Sequence, residues 1–305
     1  MSLEKSKPLS VGLALGGGAA RGWAHIGVIR ALEEAGISIH SVAGTSIGAL
    51  VGAIYCSGRL KELERIADEF HLKQLLYFVD VVFPRSGLID GKKIVDFVKE
   101  LTGSPPVEEL SIPFCAIATD LATGREVRIT EGDLLDAVRA SISIPGIFTP
   151  LVTDGRILVD GGLVNPVPVD ATRELGADFV VAVDLNYRTG RVQLEEAGKK
   201  ARRPLRRNRL SRLISERLHI EEVPGISQIR EWFERTTPTI FDIVVASISL
   251  MEVEITRMRL EESPPELLIR PELSHVNFFE FHRAKEIIAE GYRAAFEALG
   301  KIGMG

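Results

Sequence analysis

Along the chain, short unbroken apolar runs alternate with segments whose apolar residues recur at helical spacing, and glycine marks many of the junctions. Val11-Gly12-Leu13-Ala14-Leu15 is such a run. It ends in Gly16-Gly17-Gly18, which predicts a buried strand entering a tight loop. From Trp23 to Ala35 the apolar positions Ile26, Ile29 and Leu32 predict a helix, with Gly36 as its stop. Ile37 to Ala43 reads as a second strand. Gly44-Thr45-Ser46-Ile47-Gly48 follows, and then a helix of small residues to Tyr55. Two strands bracketing a helix this early in the chain imply a βαβ unit and a parallel sheet.

Further on, Leu60–Phe70 and Gly91–Leu101 carry helical patterns, separated from the next strands by Ser104-Pro105-Pro106. Ile112–Thr119 and Glu126–Ile129 read as paired strands around Ala122-Thr123-Gly124. Asp133 is placed to cap a helix reaching about Ile142. Asp154-Gly155 between two apolar segments is a hairpin turn. Its second strand, Ile157-Leu158-Val159, runs directly into Asp160-Gly161-Gly162. A helix over Pro168–Leu175, a strand over Phe179–Leu185, a helix from about Thr239 to Leu260, a strand at Leu267–Ile269 and a final helix from about Phe281 to Leu299 complete the pattern. The whole is read as a lead-in over residues 1–10 and one α/β domain over 11–305, because strand patterns continue on both sides of a polar insertion at about 187–225.

That insertion is where charge changes the picture. Between Arg188 and Arg217 there are 11 Lys/Arg against 3 Glu, a local charge of +8 in a chain whose total is −5. A net-negative protein gives no reason to expect nucleic acid as the main partner. Leu210, Leu213, Ile214 and Leu218 put an apolar stripe among the arginines, so the segment over 205–218 reads either as a peripheral contact with an anionic membrane or as a solvated lid. Two stretches imitate membrane signals. The apolar run behind Lys5 and Lys7 is too short for a signal peptide. Ala35 to Gly58 has no charged residue and a Gly44, Gly48, Gly52 rhythm, yet its polar residues and its break at Gly44 fit a buried strand, turn and helix better. The expected compartment is the cytoplasm, and the expected role of Cys56 and Cys115 is that of small buried hydrophobes.

Gly44-x-Ser46-x-Gly48 between a strand and a helix is the pattern of a nucleophile held on a cramped turn, with the helix amides and dipole aimed at it. The bland alternative is a serine that merely caps the helix. A serine needs a base, and none of His219, His275 and His282, the downstream histidines, lies in a constrained loop. Asp160 leaves a strand and is followed by two glycines that permit unusual backbone angles; it reads equally well as a presented carboxylate or as a plain turn. Gly16-Gly17-Gly18-Ala19-Ala20-Arg21-Gly22 is a nest of backbone donors suited to an anion or an oxyanion. It is not a Walker A loop, since Trp23 stands where Lys should be. It is not a dinucleotide fingerprint in either glycine frame. No metal-ligand spacing and no EF-hand loop occurs, and no cofactor is implied.

Three of these elements in this order, Gly16–Val28, Ala43–Gly48 and Asp160-Gly161-Gly162, resemble the patatin-like phospholipases, and the bacterial RssA-type members most closely. Arg139-Ala140-Ser141, Ile144-Pro145-Gly146 and Asn165-Pro166-Val167-Pro168 share the likeness, which spans about Val11 to Leu185. The resemblance implies a three-layer α/β/α fold with a mainly parallel central sheet, and a serine acyl hydrolase acting on a lipid ester through a Ser–Asp dyad without histidine. By position it makes Ser46 the nucleophile, Asp160 the base, and the amides of Gly17, Gly18 and Ala19 the oxyanion hole. Gly16, Arg21, Gly22, Gly44, Gly48, Gly161 and Gly162 become the supporting loops. Ala19 stands where many members have a further glycine; its methyl group is harmless if φ stays negative. A regulatory or scaffold protein with the same fold and little turnover is the alternative.

Overall fold

A computed structural model describes residues 9–70, 89–187 and 240–303. Eight strands form one sheet: β1 (Val11–Leu15), β2 (Ile39–Thr45), β3 (Phe114–Asp120), β4 (Arg125–Ile129), β5 (Leu151–Thr153), β6 (Arg156–Asp160), β7 (Phe179–Val183) and β8 (Leu267–Ile269). Their order is β5-β6-β3-β2-β1-β7-β8, with β4 also paired to β3. The five strands from β3 to β8 in that order run parallel, while β4, β5 and β6 add an antiparallel flank.

Side chains divide between the two faces with the period of two that a strand imposes. Leu13, Leu15, Val42, Phe114, Val181 and Val183 point into the larger core. There they meet α1 (Ala24–Glu34), α2 (Ile47–Cys56) and the last helix, α8 (Ala284–Lys301). The intervening positions are smaller. Ala14, Ala43, Cys115 and Ala182 face α6 (Val169–Glu174) and Leu260 of α7 (Ile240–Glu262). The remaining helices are α3 (Leu60–Asp68), α4 (Lys92–Thr102) and α5 (Leu134–Ser141). The result is the expected three-layer α/β/α arrangement. Both cysteines are buried and free. Asp133 caps α5, its carboxylate accepting from the Leu135 and Asp136 amides. Asp154 (φ 50°) and Gly155 (φ 74°) make the tight turn between β5 and β6.

The uncharged stretch Ala35–Gly58 divides as the sequence suggests, into β2, a turn and α2. Its glycine rhythm serves helix-on-sheet packing. A Cβ on Gly48 would lie 2.1 Å from the Leu15 carbonyl oxygen, and one on Gly44 would lie 2.5 Å from that of Gly48. Among the described residues no helix is long and apolar enough to cross a membrane. The basic stripe over 205–218 falls outside the described residues.

A second close crossing joins the two ends of the domain. Gly27 of α1 lies against the Ile288 carbonyl oxygen, which a Cβ would approach to 2.0 Å, and Gly291 of α8 lies equally close to that of Ala24. Backbone cannot yield as a side-chain tip does. Gly27→Ala is therefore expected to cost about 2–4 kcal/mol in urea denaturation, by forcing the helices apart. A variant as stable as the parent would mean that α1 and α8 do not cross this tightly.

Candidate active site

Ser46 stands between β2 and α2 with φ 57° and ψ −123°, a region that non-glycine residues avoid at a cost of about 1–3 kcal/mol. Two contacts hold it there. Its N–H donates to Ser141 Oγ at 2.9 Å, and that hydroxyl donates in turn to the Ile117 carbonyl at 2.6 Å. The Ser46 hydroxyl makes no capping bond to α2, so the residue is not a simple helix cap. It is only 6% exposed.

Asp160 reaches the same place through strand register. Consecutive residues of β3 pair with the ends of two other strands, Ile117 with Thr45 and Ala118 with Asp160. The residue following Thr45 therefore meets Asp160. Three hydrogen bonds clamp the aspartate. Its N–H donates to the Ser143 carbonyl at 3.0 Å, its carbonyl accepts from Thr119 Oγ1 at 2.8 Å, and its Oδ1 accepts from the Gly162 amide at 2.7 Å. Oδ2 is buried and has no hydrogen-bond partner. Burial raises the carboxyl to about 7, against opposing contributions from the Ser46 hydroxyl and the Gly162 amide. Hydroxyl and carboxyl are thus within electrostatic contact, although no hydrogen bond has closed onto Oδ2.

Gly161 and Gly162 depart from the sequence expectation. Neither has a φ in the left-handed region. What they supply is room: a Cβ on Gly161 would lie 2.4 Å from the Ile117 carbonyl oxygen, and one on Gly162 would lie 2.5 Å from a Glu252 carboxyl oxygen.

The glycine loop lies beside Ser46, with a Cβ on Gly17 placed 3.6 Å from Ser46 Cβ. Its amides are not equivalent. Gly16 N–H donates to Val183 O at 3.1 Å and Gly17 N–H to Pro166 O at 3.0 Å, so the Gly17 amide is already committed. This narrows the expected trio: among the described residues, only the Gly18 and Ala19 amides of the three are without an acceptor. Ala19 has φ 49°, the left-handed region, so the condition under which its methyl group would be harmless is not met. The chain turns there into a 3₁₀ segment, Ala19–Trp23. Gly22 makes space for Ile47, whose Cγ1 would lie 2.1 Å from an added Cβ, and Arg21 is buried. His25 is buried and lowered by desolvation to about 4. Since a carbonyl only accepts, its Nε2 carries the proton and donates to Gly16 O at 2.8 Å.

Other histidines stand apart. His275 is exposed and bonded to Glu286 at 2.9 Å, and His282 is exposed before α8; His219 lies outside the described residues. Among the described residues no group of three or more His, Cys, Asp or Glu is placed to hold a metal. Sequence reasoning gave no role to Ser141, whose Oγ accepts from the Ser46 amide, or to Thr119, whose hydroxyl donates to the Asp160 carbonyl. A lone hydroxyl on a helix or strand carries no local pattern that reveals a long-range partner.

The model for the patatin-like phospholipases matches residues 13–173, more than half of the chain. The chain belongs to the patatin-like phospholipase family. NTE family proteins of Mycobacterium bovis and Mycobacterium tuberculosis are 35% identical to it over 95% of this chain and 91% of theirs. The neuropathy target esterase sws of Drosophila melanogaster is 38% identical over 58% of this chain, which matches 13% of that protein. Patatin-like phospholipase domain-containing protein 7 of Mus musculus is 36% identical over 59% of this chain and 14% of its own length. As a member of this family the patatin-like chain is an esterase of the lipid-hydrolysing kind.

Proposed function

We propose that Ser46 is the nucleophile and Asp160 the only general base of a serine acyl hydrolase that cleaves fatty acyl esters, with phospholipid or lysophospholipid as the substrate class. The observation that carries this reading is the junction on β3, where the end of β2 and the end of β6 pair with adjacent residues and a buried carboxyl with a free oxygen faces a strained serine. Asp160 takes the Ser46 proton as the hydroxyl attacks the ester carbonyl, then returns it to the departing alcohol. Water releases the acyl group by the same path in reverse order. A carboxyl lifted from its ordinary value to about 7 is a better proton acceptor than one in water. The Gly18 and Ala19 amides face the developing oxyanion.

A lipid substrate is favoured by a second feature. Ile243, Val244, Leu250 and Met251 recur at helical spacing on α7 and stay exposed, an apolar strip on the same helix that brings Glu252 against Gly162. Val244 reaches the Pro145-Gly146 turn, 3.8 Å from where a Cβ on Gly146 would stand. Such a strip at the site suits a peripheral encounter with a lipid surface from the cytoplasmic side.

The test is labelling by a fluorophosphonate followed by peptide mapping. Ser46 is the expected adduct, and His275→Ala and His282→Ala are expected to label and turn over an acyl ester at rates within about threefold of the parent. An unlabelled Ser46 would favour a regulatory protein with the fold alone, and loss of turnover in either histidine variant would favour a conventional triad.

A further inference from the structure

Gly162 is the meeting point of two carboxyl groups. A Cβ on it would lie 2.5 Å from Glu252 Oε1 and 3.1 Å from Asp160 Oδ1, so both side chains close on the same bare Cα. Glu252 comes from the middle of α7, ninety residues further along the chain than Gly162. Its other oxygen, Oε2, accepts from Asn186 Nδ2 at 3.0 Å. Asn186 Oδ1 accepts from Arg21 Nη2 at 2.8 Å, and the Asn186 amide donates to Asp184 Oδ1 at 3.1 Å. Asp184 pairs with Arg270 at 3.0 Å. One chain of contacts therefore joins the oxyanion loop, through Arg21, to the turn that follows Asp160.

We propose that Glu252 is a positioning residue for the hydrolysis: as a neutral acid it braces the Asp160-Gly161-Gly162 turn, and on ionising it places a second negative charge beside the site and slows acyl transfer. The proposal rests on the Ser46 and Asp160 reading above.

The charges around Glu252 support the neutral form. Asp160 faces it from β6 and Arg21 from the 3₁₀ segment, with the Asn186 amide between them. Behind Arg21 stands Asp184, itself paired with Arg270. With Glu252 neutral and Asp160 ionised, Arg21, Arg270, Asp184 and Asp160 sum to zero; ionising Glu252 leaves an unbalanced negative charge. Burial raises Glu252 to about 8, with Asp160 adding to the rise and Arg21 and Asn186 opposing it. Although the residue as a whole is only partly buried, its carboxyl points inward to these partners. Burial raises both acids and the charge on one opposes ionisation of the other, so they titrate as a coupled pair in two steps. Loss of the first activates the base. Loss of the second sets a like charge against the oxyanion that forms at Ser46, with an expected slowing on the order of tenfold.

The experiment is the rate of Ser46 phosphonylation by a fluorophosphonate on the full chain, from about pH 5 to about pH 10, corrected for reagent hydrolysis. The unmodified protein is expected to show a rate that rises near pH 7 and falls above about pH 8. Glu252→Gln keeps the shape of the neutral acid and is expected to lose the alkaline fall while keeping the acid limb. A fall in rate by one factor at every pH, or an alkaline limb unchanged from the parent, would assign Glu252 a merely structural role and overturn the proposal. A parent profile that stays flat above about pH 8 overturns it without any variant. Labelling of Ser46 with a flat alkaline side defeats this proposal alone; no labelling of Ser46 at any pH defeats the dyad reading as well.

Discussion

Ser46→Ala is expected to lose ester hydrolysis by a factor on the order of 10⁴ or more while keeping its fold. On the dyad proposed above, the loss follows from removing the attacking oxygen. The retained fold follows from what the hydroxyl does not do: it caps no helix, and Asp160 Oδ2 already lacks a hydrogen-bond partner. The structural contacts of this residue are main-chain ones, its amide held by Ser141 and its carbonyl accepting from the Ala49 and Leu50 amides, and alanine keeps them all. Alanine also inherits φ 57°, so the strain is carried over without relief. Unfolding free energy should stay within about 1 kcal/mol of the parent by urea denaturation. Residual turnover above about one per cent in Ser46→Ala would remove Ser46 from the mechanism.

Asp160→Asn should do two opposite things. Turnover should fall by a factor on the order of 10³–10⁴, since an amide cannot take a proton. Stability should rise at neutral and alkaline pH. The sign follows from linkage: the folded carboxyl titrates at about 7 against an unfolded value of 3.8, so the folded state holds a proton the unfolded state has released. Any stabilisation from the protonated form is complete below 3.8 and is lost progressively as pH rises through about 7. Above that, keeping a desolvated charge costs the parent about 2–4 kcal/mol that asparagine does not bear. The amide oxygen can still accept from Gly162, and its nitrogen takes the place of an oxygen that had no partner. Denaturation of both proteins at about pH 4 and pH 8 checks this. Equal stabilities at both would mean that Asp160 is not held at a raised value. His25, lowered to about 4, works the other way and weakens the fold as pH falls from 6.5, but it is common to both proteins and cancels.

Much of this site was legible because its chemistry is tied to short local patterns. The strand at Val11–Leu15 and the one at Leu267–Ile269 lie where the apolar runs put them, and Ser46 lies at the predicted corner between strand and helix. Asp160 ends a strand, as its position after Ile157-Leu158-Val159 requires. Less legible was the use to which small residues are put. Gly161 and Gly162 were read as giving backbone freedom, whereas they give clearance to Ile117 and Glu252, contacts from distant parts of the chain. The Gly17 amide looked like an oxyanion donor until Pro166, almost 150 residues away, was seen to accept from it. Ala19 was the reverse case: a departure visible in the sequence, whose consequence depended on a torsion angle that only the folded loop reveals. Ser141 stood out only as part of the Arg139-Ala140-Ser141 likeness, with no role attached, and Glu252 not at all, because what gives each its place is a partner in space.

Since Ser46 and Asp160 are brought together by adjacent rungs of one ladder, the separation between them is fixed by strand alignment and not by any loop. A shift of β6 by a single rung along β3 would turn the carboxylate to the opposite side of the sheet and offer Val159 in its place. The hairpin tips at 121–124 and 154–155 are thus free to vary in length without moving this pair, while one residue gained or lost inside either strand would part Ser46 from Asp160 with every chemical group still present.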